Sequence, residues 1–126
     1  MSPRYDGFLP GRHPVEGIGR GGFLFAGISH IGSILALPSG IRAWPAGEPA
    51  AITAESLAPV IAEAGEIEFL LIGSGARLAF PSAAVRAALK EAGIRYEAMN
   101  TVVATQTYNI LLDEGRKVAA ALIAVA

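Results

Sequence analysis

IEFLLIGSGARLAFPSAAVRAALKEAGIRYEA, residues 67–98, decides the fold. Ile67 to Ile72 is nearly all apolar at its end, the pattern of a strand covered on both faces. Residues 82–92 then carry apolar side chains at helical spacing. At about 100° per residue, Ala84, Val85, Ala88, Leu89 and Ala92 fall on one side. Ser82, Arg86 and Lys90 fall on the other. Gly93 ends that helix, and Ile94 to Ala98 alternates as a strand with one polar face does. Strand, helix, strand is a crossover unit, so the two strands should be parallel neighbours with the helix packed on one face.

The rest of the chain falls into place around this unit. Asn100 or Thr101 should cap a third helix that runs to about Glu114 and closes at Gly115. Its apolar side carries Val103, Ala104, Tyr108, Ile110 and Leu111; Thr105, Gln106, Asn109 and Asp113 make a polar stripe opposite. Lys117 to about Val125 is a continuous aliphatic run, as in a central strand.

Upstream, residues 23–44 hold short apolar runs punctuated by Gly27, Gly32 and the Pro38–Gly40 turn, which reads as a small antiparallel unit. Pro45 to Pro49 looks like a linker. A short helix follows, with Ser56 as its expected N-cap; Pro59 is tolerated in a first turn, and Gly65 should end it. Residues 1–22 are crowded with proline and glycine, costly to order and with little to bury, so an extended arm is expected. We take residues 1–17 as a flexible arm and 18–126 as a single domain.

Composition sets outer limits. The chain has 126 residues, 52% hydrophobic and 17% charged, which suits one domain with an aliphatic core. A formal net charge of −1 offers no basic surplus for a phosphate backbone and argues against a dedicated nucleic-acid binder. Without cysteine there is no disulfide, thiol catalysis or Cys-ligated zinc. No apolar run approaches the roughly 20 residues of a membrane span, and residues 1–6 show no secretory h-region. A cytoplasmic location is therefore expected for a bacterial protein.

Few residues suggest chemistry. Gly73-Ser-Gly-Ala-Arg77 follows a buried strand and precedes a helix, the place where α/β folds bind ligands. Gly73 and Gly75 would let N–H groups of the Ser74 loop approach an anion such as a phosphate or nucleotide, with Arg77 as a charged donor. The same loop also reads as a plain strand-to-helix turn. Leu78 stands where a dinucleotide fingerprint needs a third glycine, and the Gly-Lys-Ser/Thr ending of a phosphate loop is missing. Ser74 lacks the flanking pattern of a nucleophile elbow, since Ile72 and Ala76 occupy the glycine positions. His13 and His30 are far apart with no acidic partner in register, so no metal site is expected. Asn109 and Arg116 would join the loop in one pocket if the third helix lay beside it. No catalytic set and no cofactor are read.

Several segments together resemble a known family. They are Gly21-Gly-Phe23, Gly32-Ser-Ile-Leu-Ala-Leu-Pro38 with Trp44 after it, Leu70-Leu-Ile-Gly-Ser-Gly75, and Thr107-Tyr-Asn-Ile-Leu-Leu-Asp-Glu-Gly-Arg116 leading into Val118 to Ile123. In that order they are similar to the Mth-type family of domains of unknown function. Its eukaryotic relatives include a mitochondrial respiratory complex I assembly factor and an adipogenesis-associated protein. The resemblance covers roughly residues 18–124. It implies a three-layer α/β fold with a mixed central sheet, flanking helices and an added N-terminal antiparallel β unit. It implies no established reaction and supplies no catalytic residues.

Two functions follow. One is a non-enzymatic interaction or assembly module with a protein partner, presenting an exposed apolar patch around Phe23, Phe25, Trp44 or Phe80. The other is a small-molecule binder or enzyme that holds an anion at Gly73–Arg77. A homo-oligomer is compatible with either.

Overall fold

The computed structural model describes residues 5–126. A six-stranded mixed sheet forms its middle. In chain order the strands and helices are β1 (Phe8–Pro10), β2 (Gly17–Gly19), β3 (Gly22–Phe25), β4 (Ile28–Ile31), β5 (Ser33–Leu37), β6 (Gly40–Trp44), α1 (Ala58–Ala62), β7 (Phe69–Gly73), α2 (Ala83–Glu91), β8 (Arg95–Met99), α3 (Thr101–Asp113) and β9 (Val118–Leu122). The main sheet runs β1-β6-β5-β9-β7-β8, and β2-β3-β4 make a second, antiparallel sheet.

The crossover unit is as the sequence predicts: β7 and β8 are parallel neighbours. Ser82 caps α2 by accepting a hydrogen bond from the Val85 N–H, and Val85 and Leu89 are its buried side chains. The aliphatic run at 118–122 lies between β7, parallel to it, and β5, antiparallel to it. All five of its residues are buried. Alternation along the central strands divides the core in two. Leu70, Ile72, Ala119 and Ala121 face α1 and α2, whereas Leu71, Ala120 and Leu122 face α3 and the small sheet. The result is three layers, with the small sheet sharing the α3 layer.

Residues 23–44 are antiparallel throughout but divide between the sheets: β3 and β4 belong to the small one, β5 and β6 to the large one. Both small-sheet hairpins turn on two residues with positive φ, Arg20-Gly21 at 54° and 75° and Ala26-Gly27 at 49° and 75°. That is the type I′ geometry that matches strand twist.

Four expectations need correction. The Ser56 side chain does not cap α1. It trades hydrogen bonds with Thr53 (N–H to Oγ at 2.8 Å, N–H to Oγ1 at 3.0 Å), and Leu57 stands at the cap. The helix stops at Ala62, before a 3-10 turn at Ala64–Glu66 that takes in Gly65. Of the arm expected over 1–17, residues 1–4 lie outside the described residues. Beyond them the segment has apolar groups to bury after all: Phe8–Pro10 pairs with β6, and Val15 enters the core. On α3, Val103 and Ile110 face solvent and Thr105 is buried. Thr105 is accommodated because its hydroxyl donates to the Thr101 carbonyl one turn back, at 2.8 Å.

Candidate functional site

The Gly73–Arg77 loop leaves the carboxyl end of β7 beside the start of α3 and the end of β9. Gly73 sits where backbones crowd: a Cβ there would lie 2.9 Å from Leu122 Cδ2 and 3.0 Å from Thr101 Cα. This glycine is fixed by packing.

Ser74 is buried at 1% exposure, and its polar atoms are engaged inward. Its N–H donates to the Met99 carbonyl at 2.9 Å. Its hydroxyl donates to the Arg77 carbonyl at 2.7 Å, has the Met99 carbonyl at 3.1 Å, and accepts from the Ala79 N–H at 2.8 Å. The Gly75 N–H donates to Thr101 Oγ1 at 2.9 Å, and that hydroxyl donates to the Ile123 carbonyl at 2.7 Å. Thr101 N–H to the Gly75 carbonyl (2.8 Å) and Ile123 N–H to the Gly73 carbonyl (2.9 Å) complete a knot that ties β7, β8, β9 and α3 together.

The knot decides what the loop can do chemically. N–H groups of Ser74, Gly75 and Ala79 that could have cradled an anion already have partners. Neither histidine faces Ser74: His30 bonds Tyr5 and the Ser33 carbonyl, and His13 the Pro10 carbonyl. Arg77 and Leu78 are exposed on the rim of a cleft of about 360 Å³ that the loop shares with Glu48 and Val125. Nearby, Phe80 is 75% exposed.

Asn109 and Arg116 do not join this cleft. Asn109 clamps a single residue of the N-terminal segment. Its Oδ1 accepts from the Val15 N–H at 2.9 Å and its Nδ2 donates to the Val15 carbonyl at 2.7 Å. Tyr108 beside it donates to the His13 carbonyl at 3.0 Å, and burial pushes its phenol up to about 12. Arg116 lies at the opposite end of β7, where it pairs with Glu68 and holds that carboxyl below its ordinary range through hydrogen bond and charge. A five-residue strand separates the two ends by about 13 Å. Both partners are half exposed, so the pair contributes little to stability. Tyr108 and Asn109 thus fasten the N-terminal segment, and Arg116 makes a surface ion pair.

Sequence reasoning missed the knot's centre, Thr101, and the N-terminal anchor, Val15. A hydroxyl at a helix start behind a Gly-Ser-Gly turn was the available signal for the first. The expected apolar patch needs correction as well. Phe23, Phe25 and Trp44 are buried at 3%, 0% and 4% exposure, because the two phenylalanines pack from the small sheet against the main one and Trp44 packs with Leu57 and Val60. Only Phe80 of that set faces solvent. Among the described residues no helix is long and apolar enough to cross a membrane, and no cluster of three metal-type side chains occurs.

A family model described as a protein of unknown function (DUF498/DUF598) matches residues 15–123. The chain belongs to this family. An uncharacterised protein of Rhodobacter capsulatus is 37% identical over 98% of the chain and 93% of its own length. The zebrafish (Danio rerio) NADH dehydrogenase [ubiquinone] 1 alpha subcomplex assembly factor 3 is 38% identical over 81% of the chain; the match spans 59% of that relative. Among solved structures, an outer membrane protein from Bartonella henselae superposes with a TM-score of 0.90 at 44% identity, covering 93% of the chain and 98% of its own. A Bordetella pertussis protein described as an Mth938-like domain superposes at 0.77 with 28% identity, covering 98% and 92%. The DUF498/DUF598 chain is therefore an Mth-type domain of unknown function, with the three-layer fold that its sequence resemblance implied.

Proposed function

We propose that this DUF498/DUF598 domain is a non-enzymatic protein-interaction module that acts as an assembly factor, in the manner of its NADH dehydrogenase assembly relatives. One observation carries the reading. The Ser74 and Gly75 N–H groups and the Ser74 hydroxyl are spent on the fold, while Leu78 and Phe80 beside them are offered to solvent. Such a loop holds strands together and presents apolar side chains for a macromolecular contact. The similarity to assembly factor 3 over 81% of the chain supports the kind of partner, a subunit of a respiratory complex. The expected place of action is the cytoplasm.

A hybrid tests it. The matching part of the zebrafish factor is replaced by this chain and expressed in cells lacking that factor, and assembled NADH dehydrogenase is measured on native gels. Restored assembly, lost again on Leu78→Ser with Phe80→Ser, is the expected result. A stable, correctly located hybrid that restores nothing overturns the proposal.

A further inference from the structure

Strand β8 ends the main sheet, and its one partner among the described residues is β7. Its outer edge therefore offers a row of backbone donors and acceptors. Next to the first residues of that edge is a cleft of about 520 Å³ between α2 and the strand. Arg86 and Lys90, one turn apart on α2, line it together with Arg95 at the start of β8, and all three are exposed. Among the described residues the one ion pair is Arg116 with Glu68, so none of these three cations has a carboxylate within pairing distance. Half-buried Phe69 and Tyr96 and buried Ile94 form the floor.

Strand register assigns these groups to two faces. Arg95 is level with Phe69, and Tyr96 with Leu70 on the face that α2 covers. A strand added beside β8 would meet Arg95 on one face and Lys90 and Arg86 on the other. Glu97 follows two residues on and is exposed, and Glu68, already paired with Arg116, lies near enough to Arg95 to feel its charge, so Arg86 and Lys90 carry most of the unbalanced positive charge of the cleft.

We propose that the β8 edge is a docking site for an extended, acidic segment of a partner protein. The segment adds a strand to the sheet, and an acidic cluster at one of its ends meets Arg86, Lys90 and Arg95. Main-chain pairing supplies the affinity, and the three cations fix register and exclude basic segments. This rests on the reading of the chain as a protein-interaction domain and names a second contact, distinct from Leu78 and Phe80.

The probe is a fluorescein-labelled ten-residue peptide of three glutamates followed by alternating threonine and valine, together with its reversed order. Fluorescence anisotropy against the intact chain is read at low salt. Binding of either order is expected, weakened about tenfold or more by Arg86→Glu with Lys90→Glu and by about 0.2 M salt. Backbone N-methylation at alternate peptide residues should abolish it, because a strand cannot then add. No binding of either order, equal binding to the charge-reversed chain, or binding that survives N-methylation overturns the proposal. So does millimolar inorganic phosphate or pyrophosphate binding at the same cations without peptide binding. In the hybrid assay, full activity of the Arg86→Glu, Lys90→Glu variant would remove this site while leaving the assembly reading intact.

Discussion

Thr101→Val is the sharpest test of the strand-end knot. Valine keeps the side-chain shape and removes one oxygen. Thr101 has 0% exposure, so no water can replace that oxygen without opening the helix start. Two hydrogen bonds disappear together, Gly75 N–H to Oγ1 at 2.9 Å and Oγ1 to the Ile123 carbonyl at 2.7 Å. The Gly75 N–H is left buried without this acceptor, which costs about 1–3 kcal/mol. Loss of the bond to Ile123 adds about 1 kcal/mol. We expect a total near 3 kcal/mol, a large share of the roughly 5–15 kcal/mol that holds a domain together. Urea unfolding followed by circular dichroism reads it as a fall in midpoint with unchanged slope. Thr101→Ser keeps the hydroxyl and should lose only the methyl contribution, about 1 kcal/mol. If Thr101→Val costs less than about 0.5 kcal/mol, or no more than Thr101→Ser, the knot is not what fastens these strands.

Further outcomes follow from other contacts. Tyr108 keeps its proton in the fold up to about pH 12, whereas an unfolded chain releases it near its ordinary 10.0. Between those values the unfolded state binds fewer protons, so stability is fully present below pH 10 and falls as pH rises toward 12, by about 3 kcal/mol in all. Tyr108→Phe should flatten that slope in unfolding measured across pH 9–12; an unchanged slope refutes the assignment. Asn109→Ala removes both bonds to Val15 and should cost about 2 kcal/mol, with faster hydrogen exchange at the Val15 amide, while exchange in β9 keeps its rank. Gly73→Ala forces a Cβ to 3.0 Å from Thr101 Cα and should destabilise by about 1–3 kcal/mol, equally with and without phosphate. Ala26→Asn relieves a positive φ of 49° in the β3–β4 turn and should raise stability by about 1 kcal/mol; a loss would contradict the turn geometry.

Where a periodic pattern met a single layer, the sequence was legible. Residues 69–73, 83–91 and 118–122 announce themselves by aliphatic runs or helical spacing; the first two elements occur within a residue or two of their expected limits, and the last strand stops at Leu122, three residues short of Val125. Reading failed where the partner was remote. Phe8–Pro10 becomes a strand because β6 is there to receive it, and nothing local predicts that. The α3 periodicity pointed to Val103 and Ile110, but the helix turns Thr101 and Thr105 inward because the knot and a backbone carbonyl satisfy their hydroxyls. The Gly-Ser-Gly loop invited an anion because glycine frees N–H groups; whether those groups are already occupied depends on Met99 and Thr101, more than twenty residues away. Asn109 and Arg116 reach the loop only if the third helix lies beside it along its whole length, an adjacency no sequence pattern shows, and the fold takes them to Val15 and Glu68 instead.

The position of β9 bears on how the domain comes to be. It is the last of the nine described strands in chain order, yet it lies between β5 and β7. Without it, β1-β6-β5 and β7-β8 share no strand pairing, and the edges of β5 and β7 that it covers are left open. The keystone is laid last, so native structure cannot accumulate gradually from the front of the chain. Any truncation that removes Val118–Leu122 should therefore leave two open strand edges prone to self-association.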